Sequence, residues 1–263
     1  MPKTGVLGIG LIGGSIAKSL PNDVTVWDSN RESLAAAASL GIQIATSLDD
    51  LVKTVDVLVI SVPFAGFDEV FAGVQKAAVT REKPLVVTNV LSVLNSIEVT
   101  EPNVQFVASH PMAGTEFSGF KAAKAGLFEG ATWVLEKAQP QIEALIASLG
   151  AKVVIMPAEM HNEAVSRMSH LPHVLAAAQL LATPEHREIF SLAASSFRDS
   201  TRVASTAPEL TAGMVTNNRD EVLRAIEALQ VVLAEFSKCL ENRDDDGVLA
   251  LFELARQRRE ELL

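Results

Sequence analysis

The spacing of apolar positions changes part-way along the chain. Through the first half, short unbroken apolar runs alternate with stretches whose apolar residues recur at helical spacing. Gly5 to Leu7, Val24 to Trp27, Ile42 to Ala45, Val57 to Val62, Leu85 to Val90, Val104 to Ala108, Trp133 to Leu135 and Val153 to Met156 read as strands. An unbroken apolar strand has no wet face, so helices must cover both sides of the sheet it joins. Strands alternating with helices predict a mostly parallel α/β sheet. Leu11 to Leu20 and Arg31 to Leu40 read as helices, and Gly41 suits the left-handed stop of the second.

After Pro157 only helical periodicity remains. The expected organisation is an α/β domain over 1–157 and an all-helical domain over 158–263. Asn217 or Asn218 is expected to cap a long helix with Glu221 in its first turn. Along it Val222, Ile226, Leu229, Leu233, Phe236 and Leu240 step by four and three, a narrow seam like that of a coiled coil. One small domain does not readily cover such a seam, so a homodimer through the helical half is expected. Asp244 to Asp246 break the seam and predict a last helix from about Gly247, with Leu251, Phe252 and Ala255 turned inward. Arg256 to Glu261 reads as a solvated charged face.

Composition narrows the function classes. The 263 residues are 48% apolar and 21% charged, enough for a sizeable core. The net charge of −10, without a basic run, argues against a nucleic-acid partner. Cys239 stands alone, which excludes a disulfide within the chain and a cysteine-based zinc site. The run Leu171 to Ala182 is too short to span a bilayer and holds His173 and Gln179, so no membrane partner is expected. Met1-Pro2-Lys3-Thr4 runs straight into the first strand, from which no signal peptide and a cytoplasmic location are expected.

Gly8-Ile9-Gly10-Leu11-Ile12-Gly13 matches G-x-G-x-x-G between a strand and a helix. In that context Gly8 makes the tight turn, Gly10 admits a pyrophosphate and Gly13 lets helix and strand pack closely. The N–H groups of the helix's first turn, Leu11 and Ile12 among them, face the phosphates. Asp28 ends the second strand about twenty residues after Gly8, where a carboxylate accepts from a ribose 2′-OH and repels a 2′-phosphate. This favours NAD, while Arg31 nearby leaves NADP open. Ser61-Val62-Pro63 reads either as the wall beside the nicotinamide or as a strand ended by proline.

His110 follows the predicted strand Val104 to Ala108. Pro111 stops the ladder and Gly114 permits close backbone approach. This places one imidazole at the carboxyl edge of the sheet, where open parallel sheets bind ligands. The reading is that His110 is the proton acceptor of a dehydrogenase. His161 and Glu163 fit no zinc signature, so no metal is expected.

Four segments together carry a resemblance: Gly8 to Gly14, Ser109 to Gly114, Ser169-His170-Leu171-Pro172-His173, and Phe197-Arg198-Asp199-Ser200-Thr201-Arg202. Over nearly its whole length the chain resembles the prephenate/arogenate dehydrogenase family of tyrosine biosynthesis. The resemblance implies a Rossmann domain followed by an all-helical dimerisation domain. It also implies NAD-dependent oxidative decarboxylation of prephenate to 4-hydroxyphenylpyruvate. His110 then accepts the proton of the substrate's 4-hydroxyl, as a neutral imidazole can near pH 7. Ser92 matches the family's serine that hydrogen-bonds the histidine and the hydroxyl; alone, it equally reads as a helix cap. Arg202 matches the arginine that grips the ring carboxylate bidentately, with Asp199 positioning it or capping a turn. His170 matches a residue beside cofactor and substrate, Ser169 belongs to the same segment, and Glu116 matches a carboxylate near the site or is a solvated loop acid.

His173 matches the position that meets the substrate's side chain. A histidine there suits the keto acid of prephenate, whereas an acidic residue would suit the amine of arogenate, the alternative substrate. One segment departs from the family's Asp-x-Gly-Ser-x-Lys and reads Asn89-Val90-Leu91-Ser92-Val93-Leu94. It keeps the serine and loses a charge pair. Two other readings compete: a related two-domain NAD(P)-dependent hydroxyacid dehydrogenase, and a nucleotide-sensing regulator without chemistry.

Overall fold

The computed structural model describes residues 2–115 and 117–262. The first half alternates strand and helix: β1 (Thr4–Leu7), α1 (Leu11–Ser19), β2 (Val24–Trp27), α2 (Arg31–Ser39), β3 (Gln43–Ile44), α3 (Leu48–Thr54), β4 (Val57–Ile60), α4 (Phe64–Ala78), β5 (Leu85–Asn89) and β6 (Val104–Val107). The six strands form one parallel sheet in the order β3-β2-β1-β4-β5-β6. This is the doubly wound order whose connections change direction between β1 and β4, and ligands bind outside the carboxyl ends of those strands.

The unbroken apolar runs have the expected cause. Along β4, Val57 and Val59 join one buried cluster with Val6, Ile16 and Phe128, while Leu58 and Ile60 join the other with Leu7, Phe67 and Phe71. Successive strand residues point to opposite faces, and both faces are covered.

The last predicted strands belong elsewhere. β7 (Ser109–Pro111), β8 (Thr132–Leu135) and β9 (Lys152–Ile155) make a separate three-stranded sheet in the order β7-β8-β9, with α5 (Pro140–Ser148) before β9. β7 runs antiparallel to β8, and His110 pairs with Val134. His110 therefore follows the carboxyl end of parallel β6, as expected, but lies inside a strand of the second sheet and not in a loop. The cause is Ser109, which leaves the ladder of β6 to bond Asn89 at the end of β5: its N–H donates to Asn89 Oδ1 (3.1 Å) and its hydroxyl to the Asn89 carbonyl (2.5 Å).

After β9 the described chain is helical: α6 (Ala158–Val165), a π-helical turn (Ser166–His170), α7 (Leu171–Ala182), α8 (Arg187–Ser191), α9 (Ser195–Thr201), a 3-10 turn (Arg202–Ser205), α10 (Pro208–Asn217), α11 (Arg219–Glu241) and α12 (Asp245–Leu262). The chain divides into two compact units, residues 1–218 and 219–263. No helix among the described residues is long and apolar enough to cross a membrane.

The second unit is the helix pair α11 and α12. Glu221 stands in the first turn of α11 as expected. Asn218, just before α11, turns its amide nitrogen to the Asn162 carbonyl (2.8 Å) and toward His170 Nδ1 (3.3 Å). Asp244 Oδ1 accepts from the Gly247 N–H (2.9 Å) and caps the start of α12. Of the predicted seam, Val222 is buried, but Leu233 and Leu240 are 53% and 66% exposed. Phe252 and Ala255 were expected inward; Phe252 stays 61% exposed while its ring meets that of Phe236 at 5.2 Å, and Ala255 is exposed too. Two helices have too little surface of their own to cover this apolar face.

Candidate active site

The glycine loop has the form its spacing predicted. Gly8 adopts φ +88°, and a Cβ there would lie 2.5 Å from the Ser61 carbonyl oxygen. A Cβ on Gly13 would lie 2.0 Å from the Gly8 carbonyl oxygen, so close packing of α1 on β1 demands glycine. Gly10 differs, with no atom within 4 Å of where its Cβ would sit. The space beside it is open, and no side chain caps the α1 N-terminus that begins there. An uncapped helix start beside open space suits a phosphate. These residues fit a dinucleotide.

Two side chains hold the loop. Asp28 Oδ2 accepts from the Ile9 N–H (2.7 Å), and its Oδ1 accepts from the Asn30 N–H (2.7 Å). Each carboxylate oxygen keeps a second lone pair for a ribose hydroxyl. Ser61 Oγ accepts from the Gly13 N–H (3.0 Å), so Ser61 braces the loop itself. Pro63 is exposed at the start of α4.

His110 sits in a lattice of fixed polar contacts. The Ser109 hydroxyl also accepts from Thr88 Oγ1 (2.9 Å) and Trp133 Nε1 (3.0 Å), which ties β7 to β5 and β8. His110 Nδ1 lies 3.0 Å from His161 Nε2, and the rings meet edge to face. His161 Nδ1 lies 3.0 Å from Asn162 Oδ1. Burial, with His161 and His170 nearby, pushes the His110 imidazole down from 6.5 to about 3. Burial, with His161 and His173 nearby, pushes His170 down to about 4. Burial also lowers His161 and His173; Arg202 adds to the lowering at His173 and a Val203 backbone contact opposes it. The four imidazoles are neutral at pH 7, and a neutral imidazole is a proton acceptor.

Asn89 Nδ2, Ser92 Oγ, His170 Nε2 and His173 Nδ1 are buried without a protein partner. A buried polar atom without a partner is costly, and His170, which acts on His110, carries one of these atoms, which suits a polar ligand. Ser92 corrects two expectations. It does not bond His110, whose partner is His161, and it caps no helix, since irregular chain follows it. Leu91 and Leu94, in place of the family's glycine and lysine, are buried in the apolar cluster with Leu7 and Phe106. The lost charge pair is thus replaced by core packing.

Arg202 begins the 3-10 turn beside His173, exposed, with its backbone N–H bonded to the Asp199 carbonyl. Among the described residues no ion pair joins Asp199 and Arg202. Ser169 is half-buried on the π-helical turn. Glu116 lies outside the described residues. His110, His170, His173 and Arg202 thus form a continuous electrostatic series, each acting on the next.

Sequence reading missed Ser109, Asn162 and Asn218, and weighed His161 only as a metal ligand. Ser109 in a buried strand and His161 and Asn162 on a half-apolar helix look like core residues until their partners are seen. Among the described residues no group of acids, histidines and cysteine is arranged to hold a metal ion.

Comparison with known proteins follows the same outline. Residues 12–155 match the prephenate dehydrogenase nucleotide-binding domain, and residues 157–254 match the prephenate dehydrogenase dimerization domain. A prephenate dehydrogenase of Lactococcus lactis is 30% identical over 99% of this chain and 77% of its own length. A cyclohexadienyl dehydrogenase of Zymomonas mobilis is 30% identical over 97% of this chain and 94% of its own. The structure of A. aeolicus prephenate dehydrogenase in complex with hydroxyphenyl propionate and NAD+ superposes with a TM-score of 0.87 at 26% identity, covering 100% of this chain and 99% of that one. With both family domains matched in order around a neutral histidine cluster and an open glycine loop, the chain belongs to the prephenate dehydrogenase family.

Proposed function

We propose that this protein is an NAD-dependent prephenate dehydrogenase that converts prephenate to 4-hydroxyphenylpyruvate. The observation that carries the reading is the neutral His110 imidazole close to His170, whose Nε2 is buried with no protein partner. Bound NAD supplies the hydride acceptor. The glycine loop and the Asp28 carboxylate hold its phosphates and ribose, and Ser61 keeps the loop in shape. His110 takes the proton of the 4-hydroxyl as C4 gives up its hydride. The bond to the ring carboxylate then breaks, CO₂ leaves and the ring becomes aromatic. As the C–C electrons enter the ring the oxygen at C4 becomes a phenolate, and it takes back the proton held by His110 to give the phenol of the product.

Arg202 is assigned to the ring carboxylate, whose charge matches its planar fork. His170 and Ser92 are assigned to the hydroxyl and the nicotinamide side, and His173, Ser169 and Asp199 to the substrate's side-chain end and its surroundings. Glu116 stays a candidate from the sequence alone. Arogenate is the alternative substrate, in keeping with the cyclohexadienyl dehydrogenase relative.

The same proposal includes a domain boundary near Pro157, a homodimer and a cytoplasmic location. The dimer is supported by the exposed apolar residues of α11 and α12, among them Val231, Leu233, Leu249 and Phe252. Light scattering at micromolar concentration is expected to give twice the chain mass.

The experiment is a steady-state assay of the purified protein with NAD and either prephenate or arogenate, following NADH and the aromatic product. NADH with 4-hydroxyphenylpyruvate is expected. His110→Asn is expected to lower kcat by about 10²–10⁴, the usual contribution of a positioned base, with substrate binding kept. Unchanged turnover in that variant would refute the role of His110.

A further inference from the structure

The polarity of the contacts around His110 can be followed from a group whose donor and acceptor are beyond doubt. That group is the Leu94 peptide. Its N–H donates to Asn162 Oδ1 (2.9 Å), and its carbonyl accepts from Asn162 Nδ2 (3.0 Å). A backbone N–H only donates and a carbonyl only accepts, so the Asn162 amide is fixed in one orientation. The same Oδ1 faces His161 Nδ1 at 3.0 Å. An amide oxygen only accepts, so His161 Nδ1 carries the proton and His161 Nε2 the lone pair. That lone pair faces His110 Nδ1 at 3.0 Å. His110 Nδ1 must then be the N–H, and His110 Nε2 the free lone pair.

We propose that this relay, from the Leu94 peptide through Asn162 and His161, holds His110 in the Nδ1–H tautomer and so makes Nε2 the atom that takes the substrate's proton. The proposal rests on reading His110 as the base. His161 and Asn162 are positioning residues: neither touches the reacting atoms. Which ring nitrogen is basic is set by the bond the other one makes. The relay works in both protonation states. After Nε2 accepts the hydroxyl proton and the O–H bond breaks, Nδ1–H still donates to His161 and steadies the imidazolium. It does so with a neutral amide at its far end in place of a carboxylate.

The burial pattern agrees with a built feature. His161 is 2% exposed, and Leu94, whose peptide anchors the relay, is 1% exposed. Asn162 is held a second time, through its own carbonyl, by the Asn218 amide (2.8 Å).

The test has two arms. In the first, ¹⁵N NMR of the histidine-labelled full chain at pH 7 reads the tautomers directly, with His110→Asn and His161→Gln identifying the signals. His110 and His161 are both expected as Nδ1–H tautomers, the form free histidine disfavours in water. A wild-type His110 protonated at Nε2 would overturn the proposal, whatever the activity.

In the second arm, His161→Leu, which removes the acceptor, is expected to lower kcat about 10- to 100-fold, the usual cost of losing an outer hydrogen-bond partner. The KM for prephenate should change less than about threefold by the same argument. His161→Gln, whose amide oxygen can replace the Nε2 acceptor, is expected to recover most of the loss. Wild-type kcat in His161→Leu would overturn the proposal. If His161→Leu does not fold, the wild-type tautomer and the kcat of His161→Gln decide. Failure of the reaction assignment is distinct: the wild type would then form no NADH from prephenate while His110 still showed the Nδ1–H tautomer.

Discussion

Asp28 at the tip of β2 receives the N–H of Ile9 in the glycine loop at 2.7 Å. One carboxylate thus shapes the loop, and the proposed function assigns it to the NAD ribose as well. Asp28→Ala removes both roles. The KM for NAD is expected to rise about 10- to 100-fold, the worth of one charge-assisted hydrogen bond, and the preference for NAD over NADP to shrink. Initial rates with each cofactor at saturating prephenate measure this. A strong NADP preference in the wild type would end the role given to Asp28.

Gly10 and Gly13 sit in the same loop and should fail in different ways. A Cβ on Gly13 meets the Gly8 carbonyl oxygen at 2.0 Å, whereas a Cβ on Gly10 meets nothing within 4 Å. Gly13→Ala is expected to destabilise the fold by about 1–3 kcal/mol, the usual cost of overpacking. Gly10→Ala should leave the melting temperature near that of the wild type and weaken NAD binding. Thermal melts and fluorescence titration with NADH separate the two. Equal melting losses would mean that the space beside Gly10 is not the cofactor's.

Arg202 acts on His173 but, among the described residues, has no carboxylate ion-paired to it. Its fork is available to a substrate anion. Arg202→Leu is expected to raise the KM for prephenate about 10- to 100-fold, as loss of a charged hydrogen bond does, with the KM for NAD unchanged. Arg202→Lys should recover only part, because an ammonium cannot bind bidentately. A normal prephenate KM in Arg202→Leu would move the carboxylate site elsewhere.

The histidine cluster also predicts an acid response. Burial holds His110 at about 3 and His170 at about 4, both below the ordinary 6.5. Below pH 6.5 the unfolded chain takes up protons at these residues while the folded chain does not. Their contribution to stability is fully present above pH 6.5 and is lost as pH falls toward 4 and then 3. Between pH 6.5 and 5, where most carboxylates stay ionised, the melting temperature is expected to fall. His110→Asn should flatten that slope. A wild-type melting temperature constant across this window would contradict the buried, neutral assignment.

Much of this was legible in the order of residues. Apolar runs located β1 to β6 to within a residue or two at each end, because a strand buried on both faces must be apolar throughout. The glycine spacing located the loop, because its requirements are steric and local. Motif resemblance singled out His110 and Arg202 as the residues to test. The seam of α11 was legible as a pattern, and the structure leaves Leu233 and Leu240 toward its end exposed.

Other features exist only in three dimensions. Whether β7 to β9 extend the first sheet or form a second was decided by Ser109, whose bonds to Asn89 and Trp133 join residues 20 and 24 positions away. The neutrality of four histidines follows from burial and mutual proximity, which spacing does not reveal. The partner of His110 is 51 positions distant, and the peptide that orients Asn162 is 68. Local sequence determined the strands, the helices and the loop, since backbone sterics and periodic burial act over a few residues. Which polar atom meets which was left to the folded chain, because hydrogen bonds depend on distance in space and not on distance along the sequence.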